Sequence, residues 1–183
     1  MPWFPSRWPP THPDRIQLYS LATPNGQKIG IALEELELGY DAHLIDIGND
    51  DQFDDDYLKL SPNGKIPTLS DPNGPDGEQV VLMETGAILL YLADKTGRLL
   101  PAATQARQQV IQWLFFQVAH VGPMFGQFGH FLKFFQFQFL TGRVKAVEHV
   151  DPRGGRNIGD RIRLAADELV LLKPLVEYLQ EAP

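Results

Sequence analysis

Apolar and polar residues alternate through Ile16-Gln17-Leu18-Tyr19-Ser20, the period of a strand with one face buried. A Thr23-Pro24-Asn25-Gly26 turn follows. Beyond it Ile29, Ala32, Leu33 and Leu36 fall at helical spacing, with Gly39 placed to end the helix in a left-handed cap. A second strand is expected at His43–Ile47. Between Pro67 and Met83 two short apolar runs flank the turn-rich Asp71-Pro72-Asn73-Gly74-Pro75-Asp76-Gly77, the pattern of a hairpin. Ala87, Ile88, Tyr91 and Leu92 then form the buried stripe of a helix running from Thr85 to near Gly97. The order is βαβ followed by ββα.

After Leu100-Pro101 the pattern becomes entirely helical, with Val110, Ile111, Leu114, Phe115 and Val118 on one stripe. The fold class is therefore α/β followed by all-α. Residues 1–15 form an extended, proline-rich arm, 16–97 the α/β domain and 98–183 a helical domain, atypical after about residue 133. Nine of the eleven phenylalanines lie between Phe115 and Phe139, a density that fits a buried core before an apolar substrate wall or subunit contact. Pattern weakens from Phe134 onward. Asp151-Pro152-Arg153-Gly154-Gly155 breaks the helical signal, which returns at 162–179.

Composition narrows the function classes. A formal net charge of -7, with 21% charged residues, leaves no broad basic field for a nucleic acid. No apolar run is long enough to span a membrane, and Met1-Pro2-Trp3-Phe4-Pro5 lacks an export signal, so a cytoplasmic protein is expected. The sequence contains no cysteine, so any sulfur chemistry must use a ligand's sulfur. The acidic run Asp50, Asp51, Asp54, Asp55, Asp56 reads as a solvated loop entering a helix N-terminus. His120 and His130, ten residues apart without carboxylate partners in sequence, do not form a metal site.

Two segments carry more specific information. Ser61-Pro62-Asn63-Gly64-Lys65-Ile66-Pro67-Thr68-Leu69 resembles the cis-proline segment of thioredoxin-like domains, where a cis bond at Pro67 would expose the Ile66 backbone for strand-like pairing. Glu84-Thr85-Gly86-Ala87-Ile88-Leu89-Leu90-Tyr91-Leu92 resembles the glutathione transferase segment that receives the γ-glutamyl end of glutathione. The pair implies a thioredoxin-like N-terminal domain and an all-helical C-terminal domain. On this resemblance Thr85, capping a helix, and the free N–H groups there bind the γ-glutamyl carboxylate, while Glu84 takes the ammonium. Lys65 and Gln52 serve the glycyl end.

Leu21-Ala22-Thr23-Pro24-Asn25-Gly26-Gln27-Lys28 occupies the place where most transferases carry a catalytic Tyr, Ser or Cys, and resembles the Nu-class, disulfide-reductase type. The resemblance implies Thr23 and Asn25 beside the glutathione sulfur, two glutathione molecules per site, a homodimer, and a small disulfide or electrophile as second substrate. His130 matches a position near the second glutathione. Tyr19, within its strand, reads as core. A free thiol is mostly protonated at pH 7, so the site must stabilise thiolate through the Thr23 hydroxyl, the Asn25 amide and the following helix N-terminus. Glutathione as co-substrate, without a metal, and disulfide reduction with weak transferase or peroxidase activity are the expectation. A non-catalytic glutathione-binding or regulatory module is the alternative.

The resemblance covers residues 16 to about 133, including Trp113-Leu114-Phe115-Phe116 and the segment 122–131. From Phe134 to Pro183 the family's basic helix and its Ser/Thr-x-x-Asp capping box are absent, as in a helical domain truncated or replaced at its end. The arginine expected against the second glutathione has no counterpart, and Arg143 is near in sequence but unmatched.

Overall fold

In the computed structural model, which describes residues 2–140, β1 (Ile16–Ser20) lies inside a four-stranded sheet. It pairs in parallel with β2 (Tyr40–Leu44) and antiparallel with β3 (Thr68–Asp71), and β3 carries β4 (Val80–Met83) at the edge. The strand order is β2-β1-β3-β4. The helices are α1 (Pro24–Glu35), α2 (Asp55–Leu60), α3 (Thr85–Thr96), α4 (Thr104–Phe116) and α5 (Gly122–Leu140), with a π turn at Gln117–Val121. This is the expected thioredoxin-like βαβ-ββα order followed by helices. The described residues through Phe125 form one compact unit, and those from Gly126 belong to a second.

Alternation along β1 divides the core in two. Ile16 and Leu18 face α1 and α3, where they pack with Ile29, Leu33, Leu69, Ile88 and Leu92. Tyr19 faces the opposite side, packing with Ile45, Tyr57 and Leu60, against which Trp8 and Ile66 lean. Tyr19 is fully buried, as a core residue should be. Gln17, also fully buried, is satisfied: its Nε2 donates to the His12 and Arg15 carbonyls, which leaves its Oε1 to accept from His43 Nε2 at 2.8 Å.

Several local expectations are corrected. The second strand is Tyr40–Leu44 rather than His43–Ile47, because parallel pairing of Ile16 with Tyr40 through Ser20 with Leu44 sets the register. Pro24, Asn25 and Gly26 are the first turn of α1 itself, with Thr23 as its cap. That helix ends before Gly39. The left-handed residue is Glu37, with φ 58°, and the Leu38 N–H closes the end by donating to the Leu33 carbonyl at 3.0 Å. On α3 the buried stripe is Thr85, Ile88, Leu92 and Ala93, and Ala87 is exposed. Neither Val110 nor Phe115 of α4 is buried. Of the acidic run, Asp51 is buried rather than solvated, while Asp54 caps α2 by accepting the Asp56 N–H. Arg143 and the helical pattern at 162–179 lie outside the described residues.

The N-terminal arm lies along the α2 side. Trp3 exchanges two hydrogen bonds with Gln79, Ser6 donates to Asp56, Trp8 packs edge-on to Tyr57, and Pro5 is fully buried.

The Tyr57 hydroxyl, in the core, donates to the Lys65 carbonyl at 2.7 Å and lies 3.0 Å from Thr68 Oγ1. The Ser61 hydroxyl donates to the same carbonyl at 2.8 Å. Tyr57→Phe is expected to cost about 0.5–1.5 kcal/mol, and Tyr57→Phe with Ser61→Ala more than the sum of the single changes, because the carbonyl then loses both donors. Urea unfolding at unchanged m-value measures both. Additive costs would show that the two hydroxyls act separately.

Candidate functional site

Tyr19, Thr68 and Met83 form one row across β1, β3 and β4. Beyond that row β1 leads out toward Thr23, β3 is entered from Pro67, and β4 leads out toward Glu84. Strand direction and register therefore place the β1–α1 turn, the approach to β3 and the start of α3 at one end of the sheet.

The turn is set by Gly26. A Cβ there would meet the Leu21 carbonyl oxygen at 2.0 Å and Ser20 Oγ at 2.4 Å, so only glycine lets the first turn of α1 close against the end of β1. Thr23 Oγ1 accepts the Gly26 N–H at 3.2 Å, which leaves its hydroxyl proton available to donate. Asn25 is exposed, and its Oδ1 accepts from Lys28 Nζ at 2.9 Å, leaving both amide protons available. Burial holds the Lys28 ammonium below its ordinary pKa. Both side chains accept a hydrogen bond within the turn. Their remaining protons suit an anion.

The Ile66–Pro67 peptide is cis, as expected, and neither Ile66 N–H nor C=O has a hydrogen-bond partner among the described residues. Lys65 is exposed at the head of this segment. Gly64, with φ +59°, adopts a conformation that favours glycine, and a Cβ on it would lie 3.0 Å from the Phe53 ring and 3.3 Å from the Gln52 carbonyl oxygen. The cis-proline segment thus abuts the Gln52 loop. Gln52 is buried, and its Oε1 has no hydrogen-bond partner among the described residues.

Glu84 is exposed and holds φ 72° and ψ 118°, a conformation that a non-glycine residue occupies at a cost. It, rather than Thr85, is the cap of α3: its carbonyl accepts the first helical bond, from the Ile88 N–H at 3.0 Å. Thr85 is the first helical residue, buried, and the N–H groups of Thr85, Gly86 and Ala87 have no helical acceptor.

Thr23, Asn25, Gln52, Lys65, Ile66, Pro67, Glu84 and Thr85 are brought to this one end of the first unit. His130 belongs to the second, exposed on α5 with its ring edge-on to Phe131. A cavity of about 370 Å³ behind the turn is lined by Leu18, Ser20, Leu21, Ala22, Gly26, Gln27 and Ala42 to Leu44. It adjoins the turn but includes none of Gln52, Lys65, Pro67 or Glu84. Among the described residues no group of three His, Cys, Asp or Glu could hold a metal ion, and no helix is long and apolar enough to cross a membrane.

Sequence reading missed the supports of the site. Gly26 gave a signal only as a turn residue and Ser61 only as the start of the cis-proline segment, and Tyr57, which with Ser61 holds the Lys65 carbonyl, gave none, because its partner is a backbone atom. Arg7, which reaches Asp51 and Asp54, was hidden in an arm without periodicity.

Residues 22–95 match the model of the glutathione S-transferase N-terminal domain. The chain is similar to the disulfide-bond oxidoreductase YfcG of Escherichia coli (strain K12), 50% identical over 117 residues, which are 63% of this chain and 54% of that protein. It is 36% identical over 158 residues to the glutathione S-transferase-like protein tpcF of Aspergillus fumigatus, covering 83% of this chain and 68% of that one. It also resembles a crystal structure of a glutathione transferase family member from Pseudomonas fluorescens pf-5 with two glutathione bound. The TM-score is 0.67 at 52% identity, over 68% of this chain and 55% of that one. The chain spans about half the length of several of the curated relatives it matches.

The conformation of Glu84 makes a testable statement about stability. Glu84→Ala keeps a Cβ in the left-handed region, whereas Glu84→Gly removes it, so the glycine variant is expected to be more stable than the alanine variant by about 1 kcal/mol. Thermal unfolding of the two variants side by side measures the difference. Equal stability would show that the backbone at residue 84 carries no side-chain strain.

Proposed function

The chain belongs to the glutathione transferase family, and from that membership we propose that it binds glutathione at this end of the sheet and uses it to reduce small disulfides. Weak conjugation and peroxide reduction follow from the same thiolate. In this reading Glu84 takes the ligand ammonium and the α3 N–H groups its γ-glutamyl carboxylate. The unpaired backbone of Ile66, beside cis-Pro67, meets the extended tripeptide as a strand would. Lys65 and Gln52 serve the glycyl end.

The observation that carries the chemistry is the turn: Thr23 and Asn25 accept from Gly26 and Lys28 and keep their protons for a ligand. Those donors, with the N-terminus of α1, favour thiolate over thiol. The thiolate sulfur attacks one sulfur of the substrate disulfide, the S–S bond breaks, and the departing sulfur takes a proton. A second glutathione thiolate attacks the mixed disulfide, so two electrons pass from two glutathione thiols to the substrate and glutathione disulfide is the product. With no cysteine in the sequence, no protein thiol takes part.

Exposed Val81 and Met83 on β4 and Trp113, Phe115 and Phe116 on α4 support a homodimer. The reading also places the protein in the cytoplasm, without nucleic-acid or membrane partners.

Thr23→Ala with Asn25→Ala is expected to return the pKa of bound glutathione to about 8.5, from a parent value about one to two units lower, with affinity changed only a few fold. Thiolate absorbance of the complex against pH, at fixed salt, measures this, and hydroxyethyl disulfide reduction at pH 7 should fall in step. A parent curve equal to that of free glutathione would remove the activation step and leave a binding module.

A further inference from the structure

We propose that Arg7, on the N-terminal arm, is a positioning residue for the glycyl end of the glutathione site, acting through Asp51 and Gln52. The inference rests on the glutathione reading above and adds to it a residue that lies outside the thioredoxin-like domain.

The guanidinium of Arg7 is delivered by contacts on either side of it. Trp3 with Gln79 and Ser6 with Asp56 fix the arm before it, and His12 donates its N–H to Asp41 after it. Arg7 Nη2 donates to Asp51 Oδ1 at 2.5 Å, and Nη1 lies 3.5 Å from Asp54 Oδ2. Both carboxylates close local turns with their other oxygens. Asp51 Oδ2 accepts the Asp46 N–H at 2.9 Å, and Asp54 Oδ1 accepts the Asp56 N–H at 2.9 Å. One cation thus ties the two turns that flank Gln52 and Phe53.

Charge explains why that cation is needed. The Asp51 side chain is only 7% exposed and stands in a run with Asp50, Asp54, Asp55 and Asp56, while Lys59 is engaged by Asp56. A buried carboxylate among like charges persists only with an opposite charge beside it. Removing Arg7 would leave Asp51 to swing toward water and release the Asp46 N–H, and with it the short turn that carries Gln52.

Gln52 is where such a shift would be felt by a ligand. Its Oε1 is buried without a partner among the described residues, and its carbonyl lies against Gly64, next to Lys65. One amide offers an acceptor and two donors, which match a ligand carrying a peptide N–H beside a carboxylate. The position of that amide depends on Asp51, one residue earlier, and so on Arg7.

The test uses the full chain and glutathione itself, with the dissociation constant from calorimetry and folding from circular dichroism. Arg7→Ala is expected to weaken glutathione about tenfold, the size of an ordinary coupling between sites, with kcat for hydroxyethyl disulfide at saturating glutathione within about twofold. Arg7→Lys, which keeps the charge but cannot reach both carboxylates, should lose about threefold. In an Asp51→Asn background, Arg7→Ala should add little. A folded Arg7→Ala with the parent's affinity overturns the proposal, and so does a loss as large in the Asp51→Asn background as in the parent. If Arg7→Ala fails to fold, Arg7→Lys decides, unchanged affinity overturning the proposal. Glu84→Ala separates the two readings. If it weakens glutathione while Arg7→Ala does not, the glutathione site stands and the role of Arg7 falls, whereas a parent that binds no glutathione removes the site itself.

Discussion

The hydroxyl of Tyr57 lies between the Lys65 carbonyl oxygen and Thr68 Oγ1, and through it α2, the segment before β3 and β3 itself share one buried anchor. Removal of the hydroxyl from water pushes its pKa up, so it stays a neutral donor over the whole working range of pH. The segment it holds includes the cis peptide, and that peptide is where the backbone of Ile66 is left without partners. Much of what the proposed site would offer a ligand is backbone: Ile66, the Asn25 N–H and the first N–H groups of α3. Such groups can be aimed only by fixing the chain, and buried hydroxyls such as Tyr57 and Ser61 do that here.

Charge is distributed by the same logic. The acidic segment between β2 and α2 would repel itself as a bare loop, yet three of its carboxylates have a specific task. Asp46 accepts from Gly48 and Asn49, Asp54 caps α2, and Asp51 accepts from Asp46. Arg7 and Lys59 supply the opposite charge. Lys59 also sits 5.3 Å from the Trp3 ring centroid, so the two cations and the arm's aromatic residues hold this surface jointly.

The alternation in Ile16–Ser20, the hairpin around residues 71–77 and the helix closed at Gly97 were legible because each is determined by local periodicity and turn chemistry. The second strand was misplaced because its register is set by pairing with β1, information that no local window holds. Thr85 was read one position early, as a cap, because Glu84 lacks the usual capping chemistry and caps with its carbonyl alone. For the site, motifs with side-chain chemistry could be read from the chain. The residues that only support it, Tyr57, Ser61 and Arg7, bind backbone atoms or a distant carboxylate and leave no spacing signature.

The closeness of Gly26 to Leu21 and Ser20 also limits how this turn can change over evolutionary time. A new functional group cannot be installed at position 26 without rebuilding the junction of β1 and α1, so in the proposed function variation in the chemistry offered to a ligand must be written at positions 23 and 25, on either side of it. Each of those already has an internal duty, Thr23 as the cap of α1 and Asn25 as the acceptor for Lys28. A substitution that improved one role would be selected against through the other. The turn is thereby confined to short polar side chains that can accept within the helix and donate outside it, a narrow alphabet in which reactivity and folding are inherited together.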